Sequence, residues 1–321
     1  MFKKKIYFSF MIFIALLFIL SACMPKVTPP ESKKPQIPAK ISRGPDKEPV
    51  LSVYIKETGE KKEMPFEEYI AGVVAGEMKN DWPLEALAAQ AILARTFVME
   101  FISTKGGSKY GTDVSTDVEE VQAYDEKSIN DRVRKAVEMT RGQVILYKGE
   151  YVKAWFHSHS GGKTALPSEG LEYKGGDPPY IKVVDSPDSP KSPADVKSWT
   201  AVFPKAKVIA AIKKLGKDIS DFKSVSIGQK GPSGRAISIK FDGVEVPAPE
   251  LRLELGKDIM KSTLIDDIRI SGNNLIIKGK GFGHGVGMSQ WGAYALAEQG
   301  KKADEIIKYY FKDVDIITMW K

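Results

Sequence analysis

The sequence predicts an α+β domain, with mixed helices and antiparallel strands, over residues 50–321. Three observations lead to that class. Apolar residues recur at helical spacing through two neighbouring segments between Pro65 and Phe101, the second of them rich in alanine. Short β-branched or alternating runs, bounded by turn residues, read as strands between residues 143 and 278. A glycine-rich run then leads into two more helical segments near the C-terminus.

In chain order, Val50–Lys56 alternates as a strand does. Pro65 opens a helix that reaches Ala75, with Phe66, Tyr69, Ile70, Val73 and Val74 on one face. Leu84–Phe101 is the strongest helical segment. Pro83 stands at its start, alanine is abundant, and apolar residues cover most sides, which predicts burial at the centre of the fold. Ile129–Thr140 reads as another helix. Gln143–Tyr147 and Tyr151–His157 are expected as strands of a hairpin turning at Lys148-Gly149-Glu150. Gly161–Asp195, rich in Gly, Pro, Ser and Asp, is expected as an ordered loop. Lys205–Leu215 follows as a helix. Val225–Ile227, Ala236–Phe241, Ile265–Ile270 and Leu275–Lys278 follow as strands, and Gln290–Glu298 and Ala303–Phe311 as the last helices.

Glycine takes every second position from Gly279 to Gly287. A strand interior disfavours so many residues without side chains, so backbone is expected to approach something closely there. His284 stands between two of these glycines, and Ser289 and Gln290 open the following helix. Glu77 lies among Val73-Val74-Ala75-Gly76 and Met78. A carboxyl in such company has its charged form disfavoured and its pKa raised, as a general acid near neutral pH requires. The alternative is an exposed glutamate at a helix end.

Four segments carry a family resemblance. The first holds Tyr69, Gly72, Val73, Val74, Ala75, Glu77 and Met78, then Pro83, Glu85, Ala86, Leu87, Gln90, Ala91, Ala94, Arg95 and Thr96. The others are His157-Ser-His-Ser-Gly-Gly-Lys-Thr164, Ala248-Pro-Glu-Leu-Arg-Leu253, and the glycine-rich run with His284, Ser289 and Gln290. In this order, from Val50 to Lys321, they closely resemble the SpoIID family, stage II sporulation protein D and its relative the amidase enhancer LytB. The resemblance implies a SpoIID-like fold and lytic transglycosylation of peptidoglycan. Glycan strands are cut between MurNAc and GlcNAc, leaving 1,6-anhydro-MurNAc ends. It assigns Glu77 as the catalytic acid. One carboxylate suffices in such a cut, because the muramyl C6 hydroxyl is a nucleophile already held in the substrate. The LytB branch implies an alternative, a wall-binding modifier that stimulates an amidase without cutting. Glu77 discriminates, since a binder needs no acid in an apolar setting.

The other candidates carry open alternatives. Arg95, in an apolar helix, needs an anionic partner: Glu85 or another acid, or else Glu77 or the lactyl carboxylate of muramic acid. Ser160, Gly161 and Gly162 are expected to make a glycan-lining turn, with His157 donating a hydrogen bond. Tyr180 stacks on a sugar and Lys182 holds a carboxylate, or they are a core tyrosine and a solvated lysine. His284, Ser289 and Gln290 contact glycan hydroxyls and N-acetyl groups, or fix their own turn. His157, His159 and His284 are the only histidines and define a possible three-histidine zinc site. The zinc site that the resemblance implies, in the segment Asp113–Tyr124, cannot carry over, because neither Cys nor His occurs there. No metal and no cofactor are expected.

The N-terminus reads as a lipoprotein signal. Lys3-Lys4-Lys5 precede the apolar Ile6–Leu20, and Leu20-Ser21-Ala22-Cys23 looks like a bacterial lipobox. The expected organisation is a signal peptide over residues 1–22, a proline-rich linker over 23–49 starting at a lipidated Cys23, and a catalytic domain over 50–321. That places the domain outside the cytoplasmic membrane, tethered by lipid; the alternative is a retained membrane anchor. Cys23 is the single cysteine, so disulfides and thiolate metal ligands are excluded from the domain. Seven prolines among residues 24–49 make a stiff, solvated spacer. The chain carries +7, and about +4 without residues 1–22, a charge suited to an anionic wall. It shows no nucleic-acid motif. Expected partners are peptidoglycan glycan strands, the membrane through its lipid, and a wall amidase or endopeptidase.

Overall fold

Helices α1 (Phe66–Glu77) and α2 (Leu84–Lys105) occupy the centre of the fold. The computed structural model describes residues 35–44 and 46–321; the expected signal segment and Cys23 lie outside the described residues. Each helix starts directly after a proline, Pro65 or Pro83, held in extended backbone with ψ of 143° and 135°. The fixed proline φ and missing N–H stop any helix running in from upstream. Helix α2 ends at Gly106, whose φ of 75° is the left-handed cap that glycine allows, with its N–H on the Ile102 carbonyl. Ala86 through Ala94 are all buried, as the apolar circumference of α2 predicts. This helix is long and apolar enough to cross a membrane, yet it is enclosed by its own domain.

Around this pair lie strand β1 (Val50–Tyr54), antiparallel to β2 (Lys61–Pro65) and parallel to β3 (Val114–Ser115), and helix α3 (Asp131–Met139), capped by Asn130. Strands β4 (Gln143–Tyr147) and β5 (Glu150–Tyr151) form the predicted hairpin. Its turn residues Lys148 and Gly149 both have positive φ, 51° and 87°, as a type I′ turn demands. The second hairpin strand is shorter than expected. The chain leaves the ladder after Tyr151, and Phe156–His157 forms β6, which pairs with a strand much later in the sequence. Residues 35–49, expected as linker, already pack on the domain where described: Ile41 is fully buried and its carbonyl accepts from the Val50 amide. The compact unit begins at Pro35.

The expected loop Gly161–Asp195 contains a single-turn helix, α4 (Pro167–Gly170), and its end runs into another, α5 (Ala194–Lys197). Residues 199–279 then build an inserted lobe with its own core. Strands β7 (Trp199–Pro204), β12 (Asn274–Gly279) and β11 (Ile265–Ser271) form one sheet. Strands β8 (Val225–Ile227), β9 (Ser238–Phe241) and β10 (Val244–Pro247) form the other. Helices α6 (Lys205–Lys214) and α7 (Ala248–Leu255) complete the lobe. Phe203, Phe222, Phe241, Leu251 and Leu275 fill its centre; each such side chain contributes roughly 1.5–3 kcal/mol on burial. The chain returns to the main lobe through the glycine-rich run, strand β13 (Met288–Ser289), helix α8 (Gln290–Glu298), helix α9 (Ala303–Tyr310) and strand β14 (Asp315–Thr318) on β4.

Candidate active site

A cavity of about 440 Å³ opens where the two lobes meet. The main lobe lines it with Glu77, Phe156, His157, Leu171, Phe282, His284 and Gln290, and the inserted lobe with Pro249, Glu250, Arg252, Leu253, Lys257 and Asp258. It is the mixture of apolar walls and a few converging polar groups that small-molecule and glycan sites share.

Glu77 is the last residue of α1, since Met78 has already turned to extended backbone. Its setting depends on two glycines one helical turn apart. A Cβ on Gly72 would stand 2.1 Å from the Tyr124 ring, and one on Gly76 would stand 2.7 Å from the Tyr124 amide nitrogen. These bare positions let residues 122–125 cross directly over α1. The Asp125 amide then bonds the Gly72 carbonyl at 2.9 Å, and the Ala123 amide reaches Glu77 Oε1 at 2.8 Å. Burial pushes the Glu77 carboxyl above its ordinary range; the Ala123 amide, the Gln290 side chain and the Lys257 charge pull the other way without cancelling it.

The glycine-rich run reaches this point through paired backbone and a ring cluster. Strand β13 pairs in parallel with β6, and Phe282 exchanges two backbone hydrogen bonds with His159. Trp291 packs on Trp82 with ring centroids 4.4 Å apart, clamping α8 against the α1–α2 connection. Gln290 is thereby set to donate Nε2 to the Glu77 carbonyl at 3.1 Å. Gly285 is required for a different reason: a Cβ there would meet the Arg235 guanidinium at 2.4 Å. Arg235 is fully buried and ties the carbonyls of Ser160 and Lys163 beneath the run.

His157 and His284 face each other with ring centroids 5.8 Å apart. His157 Nδ1 lies 3.1 Å from the Val286 carbonyl, so that nitrogen carries the proton. Its Nε2 is then a lone pair, buried and without a protein partner. His157 thus donates to backbone, and the nitrogen left over is an acceptor. Burial and the neighbouring His284 hold His157 well below its ordinary pKa. His284 accepts the Val286 amide at Nδ1, 3.0 Å, and burial with the Arg252 and Arg235 charges lowers it to about 3. His159 is turned away onto Ser192 and Asp188. The three histidines do not converge, and among the described residues no group of three His, Cys, Asp or Glu could hold a metal ion.

A family model described as stage II sporulation protein matches residues 54–147, the stretch that holds Glu77 and the Ala123 amide. An uncharacterised protein of Brachyspira hyodysenteriae is 35% identical over 256 residues, 79% of this chain and 67% of that protein. The stage II sporulation protein D of Bacillus amyloliquefaciens is 33% identical over 284 residues, 83% of this chain and 78% of its own length. The chain belongs to the SpoIID family. It is also similar to the amidase enhancer of Bacillus subtilis, 30% identical over 288 residues, which cover 75% of this chain and 39% of that relative.

Within this SpoIID domain several expected site residues have other partners. Arg95 touches neither Glu77 nor Glu85. It is fully buried and forms a two-pronged ion pair with Glu67, Nε to Oε1 at 3.1 Å and Nη2 to Oε2 at 2.6 Å. Helix α1 presents Glu67 to it from the first turn. The Ser160-Gly161-Gly162 turn wraps Asp188 instead of lining the cavity: the Ser160 hydroxyl and the Gly162 amide both donate to Asp188. Ser289 donates to the same carboxylate at 2.6 Å while capping α8 by accepting from the Gly292 amide. Tyr180 is a core residue that accepts from the Lys153 amide and packs on Tyr147. Lys182 donates to the Lys308 carbonyl, away from the cavity. Of the predicted set, Glu77, His157, His284 and Gln290 share the cavity. Sequence reasoning missed Arg252, Lys257 and the Asp188 hub. The motif Ala248–Leu253 contains Arg252 and was the available signal.

Proposed function

We propose that this SpoIID-family chain is a membrane-tethered lytic transglycosylase that cuts peptidoglycan glycan strands between MurNAc and GlcNAc. The observation that carries the reading is Glu77, a carboxyl with a raised pKa on the floor of an interlobe cleft. Its Oε1 is fixed by the Ala123 amide, which leaves the second oxygen for substrate. Protonated Glu77 delivers its proton to the glycosidic oxygen as the bond to C1 breaks. The resulting carboxylate then takes the proton from the muramyl C6 hydroxyl as that oxygen closes on C1. Atoms balance without water, and the new end is a 1,6-anhydro sugar. A raised pKa serves both halves, since it keeps the acid loaded and makes its conjugate base a better acceptor. Phe156, Phe282 and Leu253 offer apolar surface to sugar faces.

The relatives named stage II sporulation protein D support a setting in sporulation, within the wider remodelling of the wall. Anchoring through Cys23 follows from the N-terminal sequence alone. A second reading comes from the relative named amidase enhancer: a wall-bound modifier that stimulates a partner amidase without cutting. Digestion of purified glycan strands followed by mass spectrometry separates the two. The wild type is expected to release 1,6-anhydro-MurNAc ends. Glu77→Gln is expected to bind glycan yet cut slower by on the order of 10² or more. Unchanged cutting by that variant, or reducing ends formed by water, would overturn the mechanism. No cutting by the wild type, with amidase stimulation retained, would establish the second reading.

A further inference from the structure

The inserted lobe sets a cation over the cleft that the protein leaves without a counter-ion. Arg252, on α7, lines the cavity and is only 8% exposed. Its Nε donates to the Lys261 carbonyl at 3.1 Å and its Nη2 to the Lys257 carbonyl at 3.3 Å. Nη1 has no protein acceptor among the described residues, and none of their carboxylates forms an ion pair with this guanidinium. Asp258 lines the same cavity and favours the charge from a distance only. The buried Arg95, by contrast, is fully matched by Glu67. Taking a guanidinium out of water without an anion is costly, and burial lowers Arg252 to about 10. Lys257 adds a second positive charge on the same wall; its own carboxylate contact, Glu119, is 3.7 Å away. A fork of N–H donors in a cleft that also offers the apolar faces of Phe156, Leu253 and Phe282 matches a planar anion.

We propose that Arg252 binds a carboxylate of the glycan substrate, so that the inserted lobe selects acidic sugar strands over neutral ones. This rests on the reading of the cleft as a glycan site. The carboxylate has two chemical sources on such a strand: the lactyl group of a peptide-free muramyl residue, or a free carboxylate of an attached peptide. Bound in the cleft, either would supply the anion that the fold omits.

The test compares three soluble probes of equal sugar length on the Glu77→Gln background, where turnover is suppressed. One is a GlcNAc–MurNAc tetrasaccharide with free lactyl carboxylates, the second is its lactyl methyl amide, and the third carries short peptides with free carboxylates. Calorimetry is expected to show the amide binding roughly 10- to 100-fold more weakly than the free acid, the range for a lost charge-assisted hydrogen bond. Arg252→Gln should weaken binding of the free acid by the same factor and leave the amide unchanged. Peptide-bearing probe that binds like the free acid assigns the carboxylate to the peptide as well; probe that binds like the amide assigns it to the lactyl group. If acid and amide bind Arg252-containing protein equally, the assignment is overturned, and this comparison needs no Arg252 variant to fold. If none of the three binds, the glycan reading itself fails.

Discussion

Replacing Arg95 by methionine separates a scaffold residue from a substrate residue. The perturbation keeps most of the side-chain volume and removes the charge. In the wild type the guanidinium donates to both Glu67 oxygens and to the carbonyls of Gln143 and Ala91. Glu67 Oε1 also accepts from the Gly142 amide at 3.0 Å and the Trp320 indole at 2.8 Å. Arg95→Met leaves those two donors in place, so Glu67 stays tied but becomes a buried charge without its cation. Breaking one side of such a pair costs about 3–5 kcal/mol. For a domain of this size that corresponds to a fall in Tm on the order of 10 °C. The effect should spread to the C-terminus, because Trp320 is anchored on the same carboxylate. Removing both charges in Glu67→Gln/Arg95→Met should recover part of the loss, since no orphaned charge remains and an amide oxygen can still accept from Gly142 and Trp320. Calorimetry gives the Tm, and glycan cleavage well below the transition gives the activity. The single variant should retain wild-type KM and near wild-type kcat there. A variant that melts like wild type but has lost cleavage or binding would refute the reasoning and return Arg95 to the substrate site.

Three further outcomes follow from the same geometry. Burial raises the folded pKa of Glu77, so the folded protein holds that proton more tightly than the unfolded chain. The stability of wild type relative to Glu77→Gln should therefore be greatest in acid and decline as pH rises from the ordinary carboxyl pKa through the raised one, with cleavage falling over the upper part of that window; parallel melting curves across pH would contradict this. Gly76→Ala should force the Tyr124 backbone off α1, costing about 1–3 kcal/mol and separating the Ala123 amide from Glu77, and a fully active, equally stable variant would show that the crossing segment does not set the carboxyl. Metabolic labelling with a palmitate analogue should mark the wild-type chain and not Cys23→Ala, and equal labelling of both would remove the lipid anchor.

Much of this protein is written locally. The helices that start after Pro65 and Pro83, the Lys148-Gly149 turn and the helix from Gln290 are set by propensity, capping and period over a few residues, and each was legible in the sequence. The apolar residues before Glu77 in sequence pointed to a raised pKa, but the setting that raises it is assembled by distant segments, residues 122–125 over α1 and Gln290 from α8. Strands β7 and β14 were not legible, because four to six residues of mixed character acquire a strand's hydrogen bonds only from a partner elsewhere in the chain. Strand β10 was missed although its signal is local: it follows β9 through Asp242-Gly243, both at positive φ, a two-residue hairpin turn. Side-chain partners followed the same divide. Arg95 needed an acid, but which one depended on how α2 packs against α1, and Glu67 won over Glu85. Ser160 and Ser289 carried polar groups into the site region, yet Asp188 takes both hydroxyls. The acceptor face of His157 was decided by the Val286 carbonyl, 129 positions away. Arg252 reaches the cleft only because residues 199–279 fold as a separate lobe over it. Local chemistry specifies which groups must be satisfied; the packing of distant segments decides which of them satisfy one another and which are left facing the cavity.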